Sequence, residues 1–299
     1  MKFEEFDFIG GHEKKLNYKH IAFVAISILI IIISIVLLAS GSSKNDNIQY
    51  SNMSQENQII NENNLDDQQE ETKKQEIKLP IYSQEAKEEI THIYKSEEKR
   101  VFLTFDDGPS NTVTPLILEI LKKNNIKATF FVLGSRVELY PEILKQAYNE
   151  GHYIANHGYS HNYKEIYAKA ENVISEFNQT ESCIRDALEI PEYSSHLFRF
   201  PGGSAGGKYS SIKKQAIDIL NENDISYVDW NALNKDAEGS FDKNQLYSNL
   251  VETANNKKSI VVLMHDAGNK KSTAESLQDI INYFVENEYE FKNFYDIMK

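Results

Sequence analysis

Along the last two thirds of the chain, short apolar runs alternate with stretches in which apolar residues return every three or four positions. The runs read as strands over 100–105, 127–133, 152–156, 196–200, 225–230, 259–264 and 290–294. Helical periods lie between them at 114–123, 141–150, 171–188, 212–221 and 273–287, and Ser83 is placed to cap a further short helix over 83–94. Strands alternating with helices predict parallel pairing through right-handed crossovers. About seven such units predict a parallel barrel, closed or nearly closed, with an open doubly wound sheet as the competing architecture.

The first third follows a different pattern. Residues 21–38 carry no charge and the uncharged run continues to Ser43, enough helix for a bilayer core of about 30 Å. Lys14, Lys15 and Lys19 precede this run and only Lys44 closely follows it, so the positive-inside rule places residues 1–20 in the cytoplasm. We therefore expect a single-pass anchor over 21–43, an extracellular tether over 44–96 that includes the short helix, and a catalytic domain over 97–299. A cleaved signal peptide is the competing reading, and the apolar core is long for one. The tether's stretch from about 44 to 78 is rich in Asn, Gln, Glu and Asp and buries too little apolar surface to order itself.

Charge and cysteine content narrow the function classes. A net charge of −13 excludes a nucleic-acid partner as the default and argues against retention by an anionic wall, which leaves the membrane helix to hold the protein. Cys183 is the single cysteine, so no intramolecular disulfide forms, and its helical apolar surroundings indicate a packed thiol.

Five polar clusters fall at the C-terminal ends of expected strands: TFDDG, NHGYSH, RFPGG, DWNALNKD and LMHD. In a parallel barrel those ends share one rim, where such folds carry their chemistry. His157, His161 and one of the adjacent pair Asp106 and Asp107 supply two imidazoles and a carboxylate for a divalent metal. The four-residue spacing brings both imidazoles to one point if the segment makes a helical turn. Gly158 stands where a zincin glutamate would be, so the base is sought in the other aspartate. Gly202 in the RFPGG turn offers a backbone N–H to an oxyanion, and His265 is the free histidine best placed to protonate a leaving nitrogen.

Taken in order, TFDDG, the H-x-x-x-H pair, R-x-P-x-G, the aspartate–tryptophan region and L-x-H resemble the polysaccharide deacetylases of the NodB-homology type, carbohydrate esterase family 4. The resemblance covers roughly 99–299. It implies a deformed (β/α) barrel of about seven parallel strands, with Asp106 as general base, Asp107, His157 and His161 as metal ligands, and His265 as general acid. By the same resemblance Arg199 pairs with the base, while Trp230 and Leu263 line a pocket for the acetyl methyl group. The family's hydroxyl residue after the first metal histidine is Gly158 here. In the fourth motif Asp236-Ala237 replaces the usual aspartate–tryptophan pair, with Asp229-Trp230 upstream, so Asp236 is assigned as the partner of His265 and Asp229 as the alternative. His12, His20, His92, His152 and His196 match no motif.

The implied activity is metal-dependent hydrolysis of N-acetyl groups on amino sugars of a cell-wall glycan, with N-acetylglucosamine in peptidoglycan as the first expectation. The expected metal is Zn2+, with Co2+ or Mn2+ as substitutes. Competing readings are N-acetylmuramic acid, poly-N-acetylglucosamine or O-acetyl xylan as substrate, or a catalytically silent glycan-binding domain.

Overall fold

Strand β1 (Arg100–Asp106) is buried along its whole length and forms the axis of the sheet. On one side follow β2 (Thr129–Val132), β3 (Tyr153–Asn156), β4 (Leu197–Phe198) and β5 (Ser226–Tyr227). On the other side come β7 (Ser259–His265) and then β6 (Ala232–Leu233), and every pairing is parallel. A further strand, β8 (Glu290–Lys292), pairs with residues 100–102 of β1, below the stretch 104–106 that β2 occupies. This computed structural model describes residues 77–299.

Read around the sheet, the seven strands follow the order of a barrel with one open seam, between β5 and β6. The reason lies in the connection. Only residues 228–231 join these two strands and they contain no helix, whereas a parallel pair needs a crossover of about a dozen residues. The expected barrel is thus present as a half-barrel, and the closed form is not reached. Strand β6, with two residues, was too short to stand out in the sequence pattern.

The helices are α1 (Gln84–Thr91), α2 (Thr114–Lys123), α3 (Gly134–Leu139), α4 (Pro141–Asn149), α5 (Tyr163–Ile166), α6 (Ala170–Leu188), α7 (Ser210–Glu222), α8 (Lys243–Ala254) and α9 (Lys271–Glu286). Their apolar faces cover the outward side chains of the sheet. Leu103, Phe105, Ile117, Ile154, Ile184 and Leu277 share one such cluster and are 0–1% exposed. The inward side chains Phe102, Phe131, Tyr153 and Val261 pack instead against Ile90 of α1, Ile93, Phe294 and Met298, which plug the end of the half-barrel where the strands begin. Each fully buried side chain of this kind contributes about 1.5–3 kcal/mol, so the plug is a substantial part of the core.

That plug moves a domain boundary. Ser83 caps α1 by accepting from the Ala86 N–H at 3.2 Å, as expected, yet α1 is not part of a tether. Ala86, Ile90 and Ile93 are buried in the core, and Ile81 N–H donates to the Met298 carbonyl at 3.2 Å. The folded unit therefore begins well before residue 97. The cytoplasmic tail, the 21–43 span and most of the tether lie outside the described residues. Among the described residues no helix is long and apolar enough to cross a membrane. With the strand beginnings plugged, the strand ends form the mouth where the polar motifs meet.

Candidate metal and catalytic site

Asp106 ends β1 as a buried inward side chain, and Asp107 follows it with φ +72°, a left-handed turn that aims the neighbouring carboxylates differently. Asp107 Oδ1 lies 3.5 Å from His157 Nε2 and 3.4 Å from His161 Nε2. One potential ligand atom from each of the three lies within 4.8 Å of the others. His157 and His161 follow β3 in a loop and not on a helical turn, which corrects the geometry expected from their spacing. Gly158 at φ +83° and His161 at φ +55° reverse the chain so that both rings reach the same point. A Cβ on Gly158 would sit 3.1 Å from Glu176 Oε2 and 3.2 Å from Ile166 Cδ1, so the glycine serves the turn itself.

Two observations test whether these residues fit a cation. Asp107 Oδ1 is buried and has no hydrogen-bond partner, an arrangement that costs free energy unless a further group satisfies it. His157 Nδ1 lies 2.8 Å from the Arg199 carbonyl and donates to it, which leaves the Nε2 lone pair facing Asp107. Burial, against the opposing charge of Asp107, depresses His157 to about 3, so the ring is neutral as a ligand must be. The donor set of two imidazoles and one carboxylate suits zinc or a similar divalent ion.

Arg199 crosses the inside of the half-barrel with no exposed surface. Its Nη1 donates to Asp106 Oδ1 at 2.8 Å and to Thr104 Oγ1 at 2.6 Å, its other nitrogens reach the Val228 and Asp229 carbonyls, and its guanidinium lies 3.9 Å from the Phe131 ring centroid. One oxygen of Asp106 is thus held, while Oδ2 lies 3.7 Å from His157 Nε2, beside the candidate cation position. Burial raises the Asp106 pKa, and the Arg199 charge acts against that rise.

Across the pocket His265 ends β7. Its Nδ1–H donates to Asp236 Oδ1 at 2.7 Å, and its backbone N–H donates to Asp236 Oδ2 at 2.9 Å. Thr273 Oγ1 donates to the same Oδ2 at 2.7 Å. Burial alone would lower His265, but the Asp236 hydrogen bond and charge, with Asp106 and Asp107 beyond, outweigh it and raise the imidazole to about 9. Asp229, the alternative partner, is engaged elsewhere, accepting from Ser204 N–H at 2.9 Å and Ser204 Oγ at 2.5 Å.

A cavity of about 300 Å³ collects these groups. Asp106, Asp107, His157, His161, Asp236 and His265 line it together with Gly202, Trp230 and Leu263, whereas Arg199 acts from behind Asp106. The sequence pattern missed Tyr163, Leu233, Lys235 and Glu238, which line the same cavity. It also missed Glu176 on α6. That carboxylate accepts from the N–H groups of Tyr159 and Ser160 at 2.9 and 3.0 Å and from Ser160 Oγ at 2.6 Å, pinning the loop between the two histidines. A glutamate on an amphipathic helix reads as solvent-facing, and no local signal distinguished it. Cys183 is 8% exposed on α6 and burial pushes its thiol up to about 12, as a structural cysteine requires.

Fold and site together define a hydrolase working at the strand-end rim of a parallel α/β half-barrel. The sequence profile described as polysaccharide deacetylase matches residues 93–228. A peptidoglycan-N-acetylglucosamine deacetylase of Bacillus cereus is 31% identical over 216 residues, spanning 70% of this chain and 93% of the relative. The peptidoglycan-N-acetylmuramic acid deacetylase PdaA of Bacillus subtilis is 27% identical over 209 residues, 69% of this chain and 74% of that protein. Among solved structures, a Streptococcus mutans CE4 esterase superposes with a TM-score of 0.62 at 30% identity, covering 72% of this chain and 92% of the other. The chain belongs to the polysaccharide deacetylase family, carbohydrate esterase family 4, enzymes that act on amide bonds.

Proposed function

We propose that this chain is a membrane-anchored, metal-dependent deacetylase of N-acetylglucosamine in peptidoglycan, working on the outer face of the cell. The observation that carries the reaction is the unpartnered Asp107 Oδ1 facing two imidazole nitrogens, with Asp106 alongside and left free of that cluster. The apolar run 21–43 and its basic flank support the anchor and the orientation. Support for the substrate comes from the B. cereus relative.

Asp107, His157 and His161 would hold the cation, zinc first and cobalt or manganese as substitutes. Bound there, it supplies Lewis acidity toward water and toward the amide carbonyl. Asp106, fixed through Oδ1 by Arg199, takes one proton from water through Oδ2 as the water oxygen bonds to the acetyl carbon. The Gly202 backbone N–H donates to the carbonyl oxygen as that atom gains charge. His265, held by Asp236, gives its Nε2 proton to the sugar nitrogen as the carbon–nitrogen bond breaks. The acetyl group leaves as acetate carrying the water oxygen, and the amine stays on the sugar. Trp230 and Leu263 form the apolar wall against the acetyl methyl.

A silent glycan-binding domain is disfavoured because no ligand, base or acid is missing from the site. N-acetylmuramic acid is the second reading for the substrate, supported by the PdaA relative. Acetate release by the full chain from purified peptidoglycan, followed by composition analysis of the product sugars, separates the two. Glucosamine is the expected product. Muramic acid in its place would transfer the assignment, and acetate release undiminished after complete metal removal would refute the mechanism.

A further inference from the structure

The family motif R-x-P-x-G appears here as Arg199-Phe200-Pro201-Gly202-Gly203, so the residue at the middle of the turn has no side chain. The space is taken by another residue. Gly202 has φ +73°, and a Cβ built on it would lie 2.6 Å from the Tyr163 hydroxyl oxygen. Tyr163 opens α5, four residues before Tyr167, and lines the same cavity as Asp106, Asp107 and His265.

Its ring is fixed on two sides. It meets the His161 imidazole edge-on at 5.4 Å between centroids and the Tyr167 ring at 5.8 Å. Tyr167 in turn donates to the Pro201 carbonyl at 2.8 Å, and Lys213 Nζ donates to the Gly203 carbonyl at 2.5 Å, so the glycine turn beside the phenol is held as well. The Tyr163 hydroxyl makes no hydrogen bond among the described residues, and the side chain, 38% exposed, is open to the cavity. A phenol held rigidly, unpartnered and aimed into a reaction cavity is a preorganised donor, of the kind that stabilises charge developing in a transition state.

On the reading of this site as a deacetylase, we infer that Tyr163 is a catalytic residue whose hydroxyl donates to the acetyl carbonyl oxygen beside the Gly202 N–H. The missing side chain at 202 is what admits the phenol to that position. The tyrosine thus adds a side-chain donor to an oxyanion site otherwise made of backbone. Because the bond strengthens as the oxygen gains charge, its loss lowers kcat and leaves KM nearly unchanged.

The test is Tyr163→Phe in the zinc-loaded full chain, which removes one oxygen and keeps the ring contacts. Expected are a kcat lower by about 10²-fold on an N-acetylglucosamine oligomer, a KM within about twofold, and unaltered zinc affinity and melting temperature. Acetate binding, followed by calorimetry, places a carboxylate oxygen where the oxyanion would form and should weaken by about tenfold or more. This second measurement does not need turnover. A wild type that releases no acetate defeats the functional reading, while the acetate affinity still decides the role of Tyr163. Unchanged acetate affinity, or a loss confined to KM, overturns the inference.

Discussion

His265 and Asp236 meet through two hydrogen bonds, one from the ring Nδ1–H at 2.7 Å and one from the backbone N–H at 2.9 Å, so both the tautomer and the strand end are fixed by one carboxylate. The pairing raises the imidazole to about 9 despite its burial, which keeps it protonated and able to donate at neutral pH.

A pH dependence follows. Activity rises as Asp106 loses its proton and falls as His265 loses its own, so the alkaline limb of kcat/KM should lie near pH 9. Asp236→Asn removes the charge that raises His265 while its burial persists. The limb should then move acidward by about a unit or more, with lower activity at neutral pH. Acetate release measured from pH 5 to 10 checks this, and an unmoved limb would assign the proton donor elsewhere.

Gly108 and Asp266 make a second prediction. A Cβ on Gly108 would lie 2.1 Å from Asp266 Oδ2, and that carboxylate is 1% exposed and held by Thr114 Oγ1 at 2.5 Å. Asp266 N–H also donates to the Asp106 carbonyl at 3.1 Å, so the contact supports the turn that presents Asp107. Gly108→Ala should destabilise the protein by about 1–3 kcal/mol and weaken zinc binding. In urea unfolding, adding Asp266→Ala to Gly108→Ala should cost less than the sum of the single substitutions, because the collision is gone. Strict additivity would show that the two do not collide.

Glu176 offers a separable effect on the metal alone. It accepts from the 159–160 backbone and Ser160 and is a member of none of the hydrophobic clusters. Glu176→Gln replaces a double acceptor with a group that can turn a donor toward those N–H groups, loosening the loop that positions His161. Zinc affinity, measured by competition with a chromophoric chelator, should fall by about 10–100-fold while the melting temperature of the metal-free protein changes little.

Much of this architecture was legible because burial on both sides writes a strand as a continuous apolar run. β1 and β7 illustrate it, each flanked in sequence by its polar motif. Convergence of the motifs followed from topology alone, since parallel strands put all their C-terminal ends on one rim. The path of the 157–161 loop was not legible, because spacing does not encode a left-handed residue, and His161 adopts one without being glycine. Tyr163 was hidden in a four-residue helix, and the open seam depended on the length of a connection next to a two-residue strand. The packing of α1 was missed because Ala86, Ile90 and Ile93 are too few to signal burial against a charged background.

In the proposed mechanism neighbouring aspartates divide the labour, with Asp107 binding the cation and Asp106 left to move the proton. The most direct measurement is zinc content and acetate release for wild type, Asp106→Asn and Asp107→Asn, each as the full chain. Asp106→Asn should bind about one zinc per chain as wild type does and lose about 10²–10⁴-fold in turnover, while Asp107→Asn should lose the zinc itself. Loss of zinc from Asp106→Asn, with Asp107→Asn still metal-loaded and active, would contradict the account.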